Sequence, residues 1–290
     1  MRRLMFWSAL VALTACMVGT SAFARAAGCA GVAPQPTTLA GARSFTYAHP
    51  GDRDLRIHLF LPADARASHP AILFFFGGGW RNGGVDAFQD QAKAFAAHGF
   101  AAALADYRVA CRDGTTAVQS LEDAKAAYAW LRADSARLGV DAHRIILSGG
   151  SSGGHLALAT AMQAPRDRKP AALILFNPAV DLVAVAPFIG LSPAQAAPIS
   201  PSALPVQDLP PTLIFHGQSD HTVPIATVRT FCARMTTAGL ACELYEYQGQ
   251  DHGFFHSKAI DPFINASPYD DTLGRALAFA DRLGLTPAKP

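Results

Sequence analysis

The run Ser148-Gly149-Gly150-Ser151-Ser152-Gly153-Gly154 sets two serines among five residues that carry little or no side chain. A serine hydroxyl is a weak nucleophile. It serves in acyl transfer only when a sharp turn thrusts it out to where a general base and oxyanion donors can reach it. Glycines two residues to either side let the backbone enter and leave such a turn at close quarters. The glycines alone leave the register open, because Ser151 lies between Gly149 and Gly153 while Ser152 lies between Gly150 and Gly154. We take Ser151 as the candidate nucleophile, since the Ser152 N–H then becomes the donor that follows it and can bind a developing oxyanion. A flexible Gly/Ser loop would have the same composition, but a strand ahead of the run and a helix behind it argue against that alternative.

Further oxyanion donors are expected after an earlier central strand. Phe76-Gly77-Gly78-Gly79-Trp80 directly follows the apolar run Ala71 to Phe76, and Gly78 and Gly79 are the candidate donors. The chain order that accompanies a G-x-S-x-G strand-turn-helix nucleophile places the acid, and then the base, later than the serine. His216-Gly217-Gln218-Ser219-Asp220 follows the strand-like Thr212 to Phe215, and Gly249-Gln250-Asp251-His252-Gly253-Phe254 follows Cys242 to Tyr247. These runs nominate Asp220 as the acid and His252 as the base. His252 would take the proton from Ser151 and return it to a leaving group, with Asp220 fixing the tautomer. The rivals are His221 and His256 for the base and Asp181 for the acid. Asp251 reads as a turn former, and His155 starts the helix behind the nucleophile, facing away from a base position.

Placing these groups at one edge requires a particular order of elements. Leu55 to Leu61 alternates as a half-buried strand does, and Ala71 to Phe76 is a solid apolar run suited to a central strand. Helix Ala87 to His98, strand Phe100 to Ala105, helix Ala117 to Leu138, strand Arg144 to Leu147 and helix Gly154 to Met162 follow. Strands Ala171 to Phe176 and Thr212 to Phe215, helix Ile225 to Ala238, strand Cys242 to Tyr247 and helix Asp271 to Leu283 complete the set. The pattern predicts an α/β fold with a mostly parallel central sheet and helices on both faces, its ligands beyond the carboxyl ends of the strands. Only Asp181 to Pro211 breaks the alternation, with seven prolines and two charged residues. It reads as an irregular insertion over the site that could wall an acyl pocket, or as a long surface connection.

The first residues suggest export. Arg2 and Arg3 precede an uncharged run from Leu4 to Val18 and the small-residue site Ala22-Phe23-Ala24, so residues 1–24 read as a signal peptide and 25–290 as one catalytic domain. The apolar run is shorter than the ~20 residues that span a bilayer, so no stable membrane insertion is expected. Leu13-Thr14-Ala15-Cys16 keeps a lipid-anchored form open through Cys16. Without Arg2 and Arg3, 22 basic residues face 22 acidic ones. No basic cluster points to nucleic acid, and a neutral or weakly charged substrate is expected. Four cysteines would remain in an oxidising periplasmic or extracellular setting, where we favour Cys232 with Cys242 and Cys29 with Cys111. No metal-ligand spacing appears and the chemistry needs no cofactor.

Taken together, Gly77-Gly78-Gly79-Trp80, Asp106-Tyr107-Arg108, Gly149 to Ala157, His216 to Asp220 and Asp251-His252-Gly253-Phe254 resemble the bacterial acetyl esterase/lipase-like branch of the α/β-hydrolases. That branch includes carbohydrate esterases and feruloyl-esterase-like enzymes. The resemblance runs from about Leu55 to the C-terminus and implies the α/β-hydrolase fold and serine esterase activity. It suggests short or aromatic acyl groups, such as acetyl or feruloyl on plant polysaccharide, as substrates. Hormone-sensitive-lipase-like relatives carry His where this chain has Phe76, which favours the looser esterase group. Two other readings are a prolyl-oligopeptidase-like peptidase, though no propeller precedes the domain, and a binding protein that has kept the fold without catalysis.

Overall fold

Strands covered by helices on both faces have no solvent side to alternate toward, so they keep unbroken apolar sequence. In the computed structural model, which describes Cys29, residues 31–63 and residues 68–286, such runs form the middle of the sheet. The expected export signal, with Cys16, lies outside the described residues. Every residue of β3 (His69–Phe75), β6 (Ala172–Phe176) and β7 (Thr212–Gly217) is buried. Since successive residues of a strand point to opposite faces, both faces of the sheet are covered.

Among the described residues the sheet has eight strands in the order β1-β2-β4-β3-β5-β6-β7-β8. β1 (Arg43–Ala48) and β2 (Leu55–Phe60) join antiparallel at one side, and β2 is antiparallel to β4 (Ala101–Ala105). From β4 through β3, β5 (Val140–Gly150), β6 and β7 to β8 (Cys242–Tyr247), all pairings are parallel. The helices are α1 (Gln89–Ala97), α2 (Ala110–Asp113), α3 (Ala117–Ala133), α4 (Ser135–Leu138), α5 (Ser152–Gln163), α6 (Leu182–Val185), α7 (Pro193–Ala196), α8 (Ile225–Thr237) and α9 (Pro268–Arg282). β8 is an edge strand and only partly buried. Arg229 and Arg282 pair with its Glu246 and Glu243, and charge of this kind discourages edge-to-edge pairing.

Three elements differ from expectation. β1 was not anticipated. The helix expected from Ala117 to Leu138 is interrupted at Asp134, which adopts φ −90° and ψ 5° between α3 and α4. Asp and Ser side chains compete with helical hydrogen bonding, and the Asp134 carboxylate instead accepts from Arg137 Nε at 2.9 Å. The short α4 then buries Leu138 before Gly139, at φ 70°, turns the chain into β5.

The third difference is the insertion from Asp181 to Pro211. It leaves the site end of β6 and holds no helix longer than four residues. None of its residues is in the lining of the cavity beside Ser151, and it packs on helices. Pro198 O accepts from Gln163 of α5 at 3.1 Å, and Ser202 O and Leu204 O each accept from Arg234 of α8 at 2.7 Å.

Among the described residues two disulfides fasten the outer parts of the chain: Cys29–Cys111 and Cys232–Cys242. The first spans a sequence separation of 82, the second of 10, so the first restrains the unfolded chain more. At the centre of the sheet Phe74 is 1% exposed, stacked on Phe88 at 5.1 Å and edge-on to Phe95 at 5.9 Å. Phe74→Ala is expected to destabilise the fold by about 3–5 kcal/mol, through lost transfer energy and a residual cavity. Chemical denaturation of the variant against the parent checks this, and a loss below ~1 kcal/mol would mean the site is not tightly packed.

Candidate active site

The turn after β5 depends on an absence of side chains. A Cβ on Gly149 would sit 2.5 Å from the carbonyl carbon of Gly153 and 2.6 Å from Phe75 O, and one on Gly153 would overlap the carbonyl oxygens of Phe75 and Phe76. Between them Ser151 is forced to φ 55° and ψ −119°. A non-glycine residue in that region carries of the order of 1–3 kcal/mol of strain and persists only when its surroundings hold it. Here Ser151 N donates to Phe176 O at 2.9 Å, while Ser151 O accepts from the amides of His155 and Ala179 at 3.0 and 3.1 Å. The fold distinguishes the two serines: Ser151 occupies the strained apex, whereas Ser152 opens α5 and is 1% exposed.

The ends of β7 and β8 bring the other two groups to this apex. His252 Nε2 lies 2.9 Å from Ser151 Oγ, and His252 Nδ1 lies 2.8 Å from Asp220 Oδ2. The Asp220 side chain is fully buried, while that of His252 is 23% exposed at the cavity. Asp220 Oδ1 accepts from the amides of Thr222 and Val223 at 2.9 and 2.7 Å. Burial by itself would raise the Asp220 pKa. The hydrogen bonds from His252 and the Val223 amide outweigh it and hold the carboxyl below its usual range. The arrangement can pass a proton from hydroxyl to imidazole and stabilise the imidazolium that results.

The loops carrying acid and base are tied to each other. Asp251 Oδ1 accepts from the His221 and His252 amides at 3.0 and 2.7 Å, and these bonds draw its pKa down to about 2. Ser219 N donates to Gln250 O at 2.9 Å. Gly253 N donates to Asn177 Oδ1 at 3.1 Å, anchoring the base loop to the end of β6. The rival residues have other employment. His221 is exposed beside Asp251, and Asp181 caps α6 by accepting from Ala184 N at 3.2 Å. His256 lies against Phe255, with ring centroids 4.2 Å apart, and borders the same cavity as His252, but it is His252 whose Nε2 lies 2.9 Å from Ser151 Oγ.

Gly78 and Gly79, at φ 127° and 61°, face the same cavity as Ser151. The Ser152 amide belongs to the first turn of α5, where N–H groups lack intrahelical acceptors. Behind the glycine loop the Asp106-Tyr107-Arg108 motif forms a buried scaffold. Tyr107 Oη donates to Phe76 O at 2.6 Å, and the two rings stack at 4.0 Å, so Phe76 serves packing at the position before the glycines. Asp106 pairs with Arg53 at 2.6 Å and Arg108 with Asp123 at 2.8 Å. Burial pushes the Asp106 pKa up to about 6 against the opposing charge of Arg53. Trp80 Nε1 donates to His155 Nδ1 at 3.2 Å, and His155 Nε2 donates to Ile199 O at 2.7 Å. His155 thus joins the glycine loop, α5 and the insertion.

The cavity over Ser151 has a volume of about 360 Å³. Residues not anticipated from sequence complete it: Phe88, Phe255, Asn177 and Thr222. The aromatic rings pack directly on the turn, since a Cβ at Gly150 would come 2.8 Å from Phe255 and 3.2 Å from Phe88. A larger groove of about 480 Å³, between α3 and α5, contains none of the groups around Ser151.

The sheet, the turn and the glycine loop define the α/β-hydrolase fold, and comparison with known proteins identifies an ester-hydrolysing enzyme. Residues 57–235 match BD-FAE, and the chain belongs to that family. Carboxylesterase NlhH of Mycobacterium tuberculosis is 25% identical over 268 residues, covering 82% of this chain and 81% of the relative. The propionate-bound structure of the Thermogutta terrifontis esterase Est2 is 36% identical with a TM-score of 0.76, over 87% of this chain and 97% of that one. The butyrate-bound form of Est2 gives a TM-score of 0.77 at the same identity and coverage.

Burial lowers the His155 pKa to about 4, against the bond to Ile199 O, so the ring is neutral in the folded state. An unfolded chain would protonate that histidine near pH 6.5. Acidification from about 6.5 to 4 therefore favours unfolding through this residue, and stability rises again with pH. His155→Gln is expected to lose less stability than the parent between pH 7 and 4.5. Urea midpoints across that range measure the difference, and parallel pH profiles would show that His155 does not contribute it.

Proposed function

We propose that the chain is an exported serine esterase in which Ser151 attacks the carbonyl carbon of a carboxylic ester. The observation that carries this proposal is the unbroken chain of contacts from Ser151 Oγ through His252 to Asp220. As the hydroxyl adds to the ester, His252 accepts its proton, and the N–H groups of Gly78, Gly79 and Ser152 meet the negative charge on the former carbonyl oxygen. His252 then protonates the departing alcohol, leaving an acyl group on Ser151. Water, deprotonated by the same imidazole, releases the acid and restores the enzyme.

Short acyl groups suit a cavity of this size closed by Phe88 and Phe255, and Est2 has been seen with propionate and butyrate bound. The same two rings offer an apolar surface to an aromatic acyl group, and membership of BD-FAE favours including feruloyl beside acetyl esters of plant polysaccharide. Two formed disulfides support an oxidising compartment, periplasmic or extracellular.

Ser151→Ala is expected to lower p-nitrophenyl acetate turnover by roughly 10⁶-fold, while Ser152→Ala, which keeps the backbone amide, retains most of it. The reverse ranking would move the nucleophile to Ser152. Across p-nitrophenyl esters from acetate to decanoate, kcat/KM should be highest at two to four acyl carbons, by roughly one order of magnitude per few carbons lost to poor fit. Acetylated xylan and methyl ferulate run alongside test the polysaccharide assignment. A maximum at eight or ten carbons would contradict the short-acyl proposal.

A further inference from the structure

A second histidine stands behind the acid. His216 is the penultimate residue of β7, with parallel neighbours β6 and β8 on either side, and its side chain has no solvent exposure. Its Nε2 lies 2.8 Å from Val223 O and 3.3 Å from Asp220 Oδ2. Its Nδ1 is buried with no hydrogen-bond partner. A carbonyl can only accept, so the contact with Val223 O selects the neutral tautomer with hydrogen on Nε2. Burial lowers the His216 pKa in the same sense.

The single Nε2–H consequently faces both ends of the turn that carries Asp220. The turn must hold the amides of Thr222 and Val223 against Oδ1 so that Oδ2 remains aimed at His252. Asp220 and Val223 lie in the connection between β7 and α8, outside the ladder of the sheet, whereas His216 is within it.

We propose that His216 is a positioning residue, one that transmits the rigidity of β7 to Asp220 and thereby keeps the carboxylate aligned on His252. The proposal rests on the assignment of Ser151, His252 and Asp220 as the reacting group. His216 is not among the residues that line the cavity. Other charges face this region: Glu246 of β8, neutralised by Arg229 of α8 at 2.7 Å, and Asp251, engaged by the His221 and His252 amides. None of these contacts is made by the His216 side chain.

The test compares His216→Leu, His216→Gln and His216→Asn with the parent enzyme. Active sites are counted by the p-nitrophenolate released from a phosphate triester such as diethyl p-nitrophenyl phosphate. Per titrated site, His216→Leu should lose roughly 10²-fold in kcat with KM little changed, the scale at which general acid–base catalysis operates. The acidic limb of its kcat/KM profile should move to lower pH, because a less firmly aimed carboxylate stabilises the His252 imidazolium less. Gln places an amide donor about where imidazole Nε2 was and should recover most of the loss. The shorter Asn should not.

Unchanged kcat per site with an unshifted acidic limb in His216→Leu would overturn the proposal. So would a loss that merely tracks the number of titratable sites, since that indicates a role in folding alone. If His216→Leu does not fold, the Gln and Asn variants decide, and equal activity per site in these two overturns the proposal. Residual activity of Ser151→Ala near the parent level would instead remove the underlying assignment, a failure distinct from all of these.

Discussion

Two stretches of main chain, the end of β3 and the start of α5, pass so closely beside the end of β5 that no β-carbon fits at Gly149 or Gly153. That approach forces Ser151 into a backbone region unfavourable to any L-residue with a side chain, and it turns the hydroxyl away from the helix toward the cavity. The remaining geometry follows from this one contact. The Ser152 amide can serve an oxyanion because α5 begins immediately, and Ser151 N can bind Phe176 O because β6 is the next strand of the sheet.

A strained turn needs a stiff surround, and here polar groups supply as much of it as apolar packing does. Tyr107 on Phe76 O, Trp80 on His155 and His155 on Ile199 O connect the glycine loop, the helix after the nucleophile and the proline-rich insertion. Each bond is buried, where an unmade partner would cost of the order of 1–3 kcal/mol, so the network tolerates little displacement. Arg53, Asp106, Asp113 and Arg108 with Asp123 extend it away from the cavity. The insertion acts on the site from behind, as part of this support.

The sheet and the candidate triad could be read from the chain because each rests on local sequence: solid apolar runs, glycines at fixed spacing, and polar residues just after strands. The flanking glycines are symmetric and by themselves left the register of the serines open; Ser151 was preferred for the place it gives the Ser152 amide, and the fold adds the contrast between a strained apex and a buried helix start. β1 went unread although Phe45 and Tyr47 alternate with Ser44 and Thr46 as in a half-buried strand, because the segment is short and only partly buried at the edge of the sheet. The break at Asp134 follows from a local competition that an otherwise helical run of alanines conceals. Phe88 and Phe255 reach the cavity from single turns of 3₁₀ helix distant in sequence, so long-range packing alone gives them their place. Asn177 did leave a signal. It is an asparagine directly after a buried strand, at φ 35°, in a region that this residue type tolerates better than most.

The central claim is that one hydroxyl, that of residue 151, is made nucleophilic by the imidazole and carboxylate aligned with it. Peptide mapping by mass spectrometry after treatment with diisopropyl fluorophosphate addresses it directly. A single phosphoryl adduct on Ser151, appearing in step with loss of esterase activity and absent when His252 is replaced by Ala, is the predicted result. An adduct on Ser152, or complete inactivation with Ser151 unmodified, would contradict the account.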